Sequence, residues 1–413
     1  MTVSSLQFLF GLWFLSAIFP HIPLGRARRL VLAVCNAVFL VLLMPNAGSW
    51  IVLAVFLLSG YVVAMRLRAR PSRLGLAVYL GALVSSFMLL QKYVFLGILL
   101  PEKILQHPIA IIGLSYMLFR QIHFIVDAMQ GQIEQTDLWS YLNYQLNLFG
   151  LLAGPIQRYQ SFRQDWQSMT LPVDRHELLR THARILLGVI KIAGMAVACL
   201  FVYDKVVEQL LAIEGGPNRP GRASVLLEFA TVFYLYPAYV YFNFSGYCDI
   251  VIGGAALLGI RLPENFDRPY LGRNMIDYWN RWHRTLSFWI RDYIFTPLYK
   301  TIAEKTPRRA PSLAFLCYFI ALFIAGVWHG STLNWVIFGL LNGLGVAAAK
   351  LWENYLIRRR GRAGLRKYLA SRRIRAAAIV ANIHFACFTI LFFPAGLDRC
   401  FQILRSTFVG LRG

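Results

Sequence analysis

Several kinds of chemistry are missing from this sequence. It has no GxxxxGK[ST] loop, no GxGxxG fingerprint and no GxSxG elbow, so the usual phosphate cradles and the serine-hydrolase nucleophile have no place in it. Acidic residues are scarce, 19 against 42 Lys and Arg, and no acidic cluster suits a metal. Only 15% of the residues are charged, well below the roughly 25% of a soluble domain. The six cysteines are scattered, most of them within apolar runs, and no CxxC pair occurs, which argues against a zinc site and against a disulfide framework. There is no internal repeat, low-complexity linker or domain boundary, so residues 1–413 read as one domain. No small-residue cleavage site follows the apolar N-terminal run, which therefore reads as a first span and not as a removed signal peptide.

What remains is hydrophobic and basic. Apolar residues make up 58% of the chain, the mean hydropathy is +0.54 and the formal net charge is +23. The apolar residues come in repeated runs, and each membrane span needs ~20 of them. The basic residues fall in short loops between the runs, at Arg26–Arg29, at Arg66, Arg68, Arg70 and Arg73, and most densely over residues 358–375. That is the positive-inside pattern of a membrane protein and argues against a nucleic-acid partner. Runs over residues 6–20, 30–45, 50–64, 74–90, 108–126, 185–202, 225–242, 313–327, 335–349 and 376–393 give roughly ten spans, with both termini outside. Residues 138–152 are too polar for a span and read as re-entrant or interfacial. The short run 250–260 reads as interfacial, and residues 214–221 as a loop on their Gly and Pro content. The fold class expected is all-α and polytopic.

Polar residues in such a chain are expensive and mark function. They concentrate in residues 276–293, where Asp277, Asn280, Arg281, His283, Arg284, Arg291 and Asp292 are threaded among Tyr278, Trp279, Trp282, Phe288, Trp289 and Tyr293. If this strip is one helix, Asp277 has Asn280 and Arg281 as neighbours at i+3 and i+4, with Arg284 following on the same face. The competing reading is an amphipathic cytoplasmic helix with basic anchors. A second histidine, His329, ends a long apolar run between Trp328 and Gly330. Position alone allows an interfacial anchor. Gly330 permits close approach of backbone or ligand, and neutral imidazole is a common general base. Asp249 reads as a cap or the buried partner of an arginine, and Asp292 as half of an ion pair or a cap. Arg120 and His123 interrupt another run and read as a satisfied polar pair in the bundle more readily than as a path through the membrane.

At these residues the chain resembles the membrane-bound O-acyltransferase (MBOAT) family. The resemblance rests on Arg281-Trp282-His283, on Ser287 to Tyr293 and on Trp328-His329-Gly330, in that order on a polytopic background. It extends more weakly to residues 113–120 and 154–159. Residues 280–283, 286–289 and 115–120 lean towards the teichoic acid D-alanyl branch, residues 262–266 and 326–335 towards the alginate O-acetyl branch. The resemblance implies a ring of about 10–12 helices with re-entrant or interfacial helices around a central tunnel. It implies transfer of a D-alanyl or acetyl group to a hydroxyl of a cell-envelope polysaccharide or teichoic acid, or to a relay partner. The expected donor is a thioester on coenzyme A or an acyl carrier protein, with no permanently bound cofactor. The expected partners are that carrier, an extracytoplasmic transferase or relay protein, and membrane lipid; the expected place is a bacterial inner membrane. His329 is the expected proton acceptor and His283 its second member. Asn280, Arg281, Trp282, Arg284 and Trp328 are expected at the substrate, supported by Asp249, Asp292 and Gly330. A transporter or flippase of an acylated carrier is the alternative. In this reading the polar strip is the cytoplasmic mouth of a path that ends at His329.

Overall fold

The computed structural model describes residues 6–171, 174–213, 221–330, 332–393 and 396–412. Among these the regular elements are helical and no strand occurs. Most of the loop expected at residues 214–221 lies outside the described residues. Two compact units form, one from residues 1–190 with 245–264, the other from 191–244 with 265–413.

The first unit holds α1 (Leu6–Ile18), α2 (Arg26–Leu43), α3 (Ala47–Ala69), α4 (Arg73–Leu90), α5 (Leu114–Met129), α6 (Leu138–Gln145), α7 (Leu148–Leu151) and α8 (Tyr159–Ser168). Local chemistry starts these helices. The Asn46 side chain accepts from the Ser49 N–H to open α3, Ser72 accepts from Gly75 to open α4, and Asp137 accepts from Ser140 to open α6, each satisfying an N–H that the helix itself cannot. Helix α5 packs on α3 where Gly60 leaves room, since a Cβ there would meet the Gln121 amide at 2.4 Å. Residues 138–152 form two short buried helices, α6 and α7, too short to span.

Helix α9 (Arg175–Ala212) runs on from the first unit through a π-helical stretch at Ile190–Ala196. Helix α10 (Arg222–Leu257) is 36 residues long and contains Pro237. It passes without interruption through the polar stretch at residues 241–249. Its last third, the run read as interfacial, is buried at Ile250, Val251 and Ala255.

The second unit continues with α11 (Met275–Trp279), α12 (Arg284–Ile290), α13 (Thr296–Lys305), α14 (Ala310–Trp328), α15 (Leu333–Ala370), α16 (Arg372–Ile390) and α17 (Leu397–Arg412). Helices α14 and α15 pair closely because glycines line their seam. A Cβ on Gly326 would land 2.1 Å from the Gly339 Cα, and one on Gly343 would meet the Phe319 carbonyl at 2.9 Å. Helix α15 breaks at Gly361, whose φ of 64° only glycine adopts readily. The break lies within the densest basic run.

Seven helices among the described residues are long and apolar enough to cross a membrane: α3, α4, α9, α10, α14, α15 and α16. The sequence suggested roughly ten. The difference lies in α1, α2 and α5. Helix α1 has 13 residues, and α2 carries Arg26, Arg28 and Arg29 in its first turn. Helix α5 has 16 residues and buries Arg120, Gln121, His123 and Asp127, a face that suits contact with protein.

Candidate active site

Both histidines singled out from the sequence lie in the second unit. The strip that carries His283 is not one helix. Helix α11 stops at Trp279, residues 280–283 turn, and His283 adopts φ 44° and ψ 50° before α12 begins. A left-handed conformation at a bulky non-glycine residue is strained and needs support from its surroundings. The support is visible. The Arg284 N–H donates to the Asn265 carbonyl at 2.9 Å, and the Asp267 N–H donates to the Arg281 carbonyl at 2.9 Å. The turn also takes Arg284 off the face shared by Asp277 and Arg281.

Arg281 is held by its own neighbours. Its Nε donates to Asp277 at 2.8 Å and its guanidinium lies 3.7 Å from Asp267. Burial disfavours ionised Asp277, but Arg281 and Arg273 outweigh it and hold the carboxyl below its usual range. Arg284 rests its guanidinium over the Phe288 ring, as does Arg291 at 4.8 Å. Asp292 pairs with Arg291 at 2.9 Å. Asp249 belongs to the first unit, where it accepts from Arg184 Nε at 3.0 Å while Glu264 takes the other two guanidinium nitrogens. It is an arginine partner within α10 and not a cap.

His283 is buried, 2% exposed, with the Phe244 ring edge-on at 4.9 Å. His329 caps the end of α14. Trp335 stacks on it at 5.5 Å, Trp328 stands edge-on at 4.9 Å, and Phe338 and Phe393 complete an aromatic cage. Gly330 is what lets the cage close, since a Cβ there would meet the Trp335 ring at 2.1 Å. Part of His329 remains accessible in spite of the cage. Burial pushes the His283 imidazole well below its ordinary value, and charge on His329 pushes the same way. Phe244, which meets His283, and Phe338, which meets His329, belong to one aromatic cluster. Burial lowers His329 too, against an opposing bond to the Ala325 carbonyl. The sequence had set these histidines at opposite ends of a path; the fold brings them into one neighbourhood. Trp279, Trp282 and Phe338 belong to a single buried cluster that Trp335 and Phe393 pack against.

The geometry at His329 fixes its tautomer. Its Nδ1 lies 2.6 Å from the Ala325 carbonyl oxygen, which can only accept. The ring proton is therefore on Nδ1, and Nε2 carries the lone pair. A neutral imidazole with its lone pair fixed on one nitrogen is the form a general base needs.

Two cavities adjoin this neighbourhood. The smaller, about 210 Å³, is lined by Trp279, Asn280, Ser287 and Arg291 among others. The larger, about 770 Å³, is lined by Lys350, Arg362 and Arg366 with Tyr299 and Asn354. Phe295 and Tyr318 belong to both walls, their rings 4.3 Å apart. A π-helical turn at Arg291–Phe295 joins α12 to α13 and brings both Arg291 and Phe295 to the wall; such turns are frequent at functional sites. Of the expected substrate residues, Asn280 lines a cavity, Trp282 is core, Trp328 touches His329, and Arg281 and Arg284 are engaged elsewhere. The cavity cations Arg362 and Arg366 escaped sequence reasoning because the whole run 358–375 reads as a solvated basic face, and Lys350 because it only marks the end of the apolar run 335–349. Asn265 escaped it as well, hidden in a proline-bearing loop.

The sequence model of the membrane-bound O-acyltransferase family (MBOAT) matches residues 74–389. The chain is 29% identical over 355 residues to the teichoic acid D-alanyltransferase of Bacillus subtilis (strain 168), covering 82% of each. It is 28% identical over 298 residues to the corresponding protein of Streptococcus thermophilus, covering 70% of this chain and 69% of that one. It is also 28% identical over 290 residues to the probable alginate O-acetylase of Pseudomonas fluorescens, covering 70% of this chain but 53% of that protein. Seven helices fit to cross a membrane and a family match over most of the chain lead to one conclusion: the protein is a multi-pass membrane protein and a member of the membrane-bound O-acyltransferase family.

Proposed function

We propose that this protein moves an acyl group, D-alanyl or acetyl, from a cytoplasmic thioester to a hydroxyl on the far side of a bacterial inner membrane. The acceptor is a cell-envelope polysaccharide or teichoic acid, or a relay partner that passes the group on. The observation that carries the reading is the His329 ring, with Nδ1–H committed to the Ala325 carbonyl and the lone pair left on Nε2. In the step it supports, Nε2 takes the hydroxyl proton as the oxygen attacks the thioester carbon. The C–O bond forms, the C–S bond breaks, and the proton passes to the departing thiolate. Asn280, exposed on the wall of the smaller cavity, is suited to donate to the carbonyl oxygen as charge develops there.

The donor side is supported by the larger cavity. Its cations Arg362 and Arg366, beside Lys350 that is paired with Glu353 at 3.1 Å on the same wall, sit at the end of α15 that the basic run assigns to the cytoplasm. An anionic thioester arm, whether of coenzyme A or of a carrier protein, suits such a wall. The test is to supply purified protein in lipid nanodiscs with labelled acetyl-coenzyme A and, separately, with alanyl-loaded carrier protein. Label transfer to a hydroxyl acceptor by the wild type, lost in His329→Ala, is expected. Full transfer by a folded His329→Ala protein would overturn the assignment.

A further inference from the structure

Asn265 is 0% exposed and its side-chain oxygen is crowded with partners. The Thr285 backbone N–H donates to Oδ1 at 3.2 Å and the Thr285 hydroxyl at 2.9 Å. The His283 Nδ1 lies 3.1 Å from the same atom. A backbone N–H can only donate, so the atom it meets is the amide oxygen and not the amide nitrogen. That oxygen can only accept, so the His283 Nδ1 must carry the ring proton. The lone pair of neutral His283 is then on Nε2. The arrangement repeats what the Ala325 carbonyl does for His329, with a side chain in the place of a backbone group.

We propose that Asn265 is a positioning residue for the reaction, fixing His283 in the Nδ1–H tautomer so that its Nε2 offers no N–H to the thioester carbonyl. This rests on the reading of His329 and His283 as the reacting pair. A neutral His283 of this tautomer has no Nε2–H with which to polarise a carbonyl. That donation falls to Asn280. It also explains the left-handed backbone at His283. The same loop that accepts from Nδ1 accepts from the Arg284 N–H, so ring and backbone are clamped from one side. His329 bears on His283 from the end of α14. On its own segment Arg281 is paired with Asp277 and Arg284 covers Phe288. Helix α10 brings the Phe244 ring, which carries no charge.

The experiment uses the full chain in nanodiscs. Ring-nitrogen shifts of ¹⁵N-labelled His283, assigned by difference from His283→Gln, report the tautomer directly in the wild type. A protonated Nδ1 and an unprotonated Nε2 are expected; the reverse overturns the proposal. For function, Asn265→Asp keeps the acceptor oxygen but adds charge, which favours the imidazolium. The acid limb of its pH–rate profile should therefore move upward by about 1 pH unit or more. Asn265→Ala should lower kcat about 100-fold with the donor KM nearly unchanged. If Asn265→Ala does not fold, the Asn265→Asp profile decides alone. A profile superimposed on the wild type leaves Asn265 a scaffold residue and overturns the proposal. Loss of transfer in His329→Ala and His283→Gln with an unmoved Asn265→Asp profile sinks only this inference. Retained transfer in both histidine variants sinks the underlying reading, whatever the tautomer.

Discussion

His123 lies within α5 of the first unit and His329 ends α14 of the second, and the backbone engages a different ring nitrogen in each. The Tyr159 N–H donates to His123 Nε2 at 2.9 Å, so that lone pair is taken by the backbone. The other nitrogen faces Asp127 at 3.3 Å, with Arg158 at 3.4 Å. Asp127 in turn accepts from Gln160 at 2.7 Å, and nearby Arg120 donates to the Tyr144 and Gln145 carbonyls, both at 2.9 Å. This is a buried polar network that ties α5 to its neighbours. His329 commits only Nδ1 to a backbone acceptor and keeps some surface accessible. Burial alone does not set the two histidines apart. Which nitrogen the backbone occupies does, and only the His329 arrangement suits the proton transfer proposed for it.

The largest effect that tests this contrast is His329→Gln, which keeps bulk but removes the proposed base. Transfer per folded molecule should fall by about 10²- to 10⁴-fold, read by single-turnover label transfer. His123→Gln is the counterpart. It should destabilise by about 1–3 kcal/mol, since it disturbs a buried hydrogen-bonded network, yet leave transfer per folded molecule within a few-fold. Thermal unfolding in detergent and the same label assay read the two quantities; a kcat loss for His123→Gln approaching that of His329→Gln would erase the distinction.

A packing test sharpens it further. Gly326→Val forces α14 from α15, because its Cβ would fall 2.1 Å from the Gly339 Cα. Overpacking of this kind costs about 1–3 kcal/mol, so a lower unfolding temperature and reduced activity should appear together, unlike His329→Gln. The pH profile gives a smaller signal. Both histidines are pushed below their ordinary value, and the reactive form is neutral. Activity should therefore hold as pH falls past about 6.5 and be lost only below it. An acid limb at or above that value would contradict the burial of the pair. The smallest effect is expected at the donor cavity. Arg366→Glu should raise the donor KM several-fold with kcat nearly unchanged, and added salt should shrink the gap between variant and wild type.

The sequence by itself determined the class of the protein. Long apolar runs with basic loops can be stable only as membrane helices, because no other arrangement hides so much apolar surface and pairs the backbone within each segment. It also marked residues 276–293 and His329, because polar groups in an apolar chain stand out. It could not show that residues 280–283 turn, since a helical wheel assumes the helix it is meant to test. It could not separate Arg281, closed by Asp277 and Asp267, from Arg362 and Arg366 on a cavity wall; a charge looks the same in sequence whether paired or open. Nor could it see that α10 passes straight through the polar stretch at 241–249, where Arg184 answers Asp249 from 65 positions away. Only the tertiary structure decided which nitrogen of each histidine is occupied, because the acceptors at Asn265 and Ala325 and the donor at Tyr159 come from backbone and loop positions whose residue types carry no sign of that role.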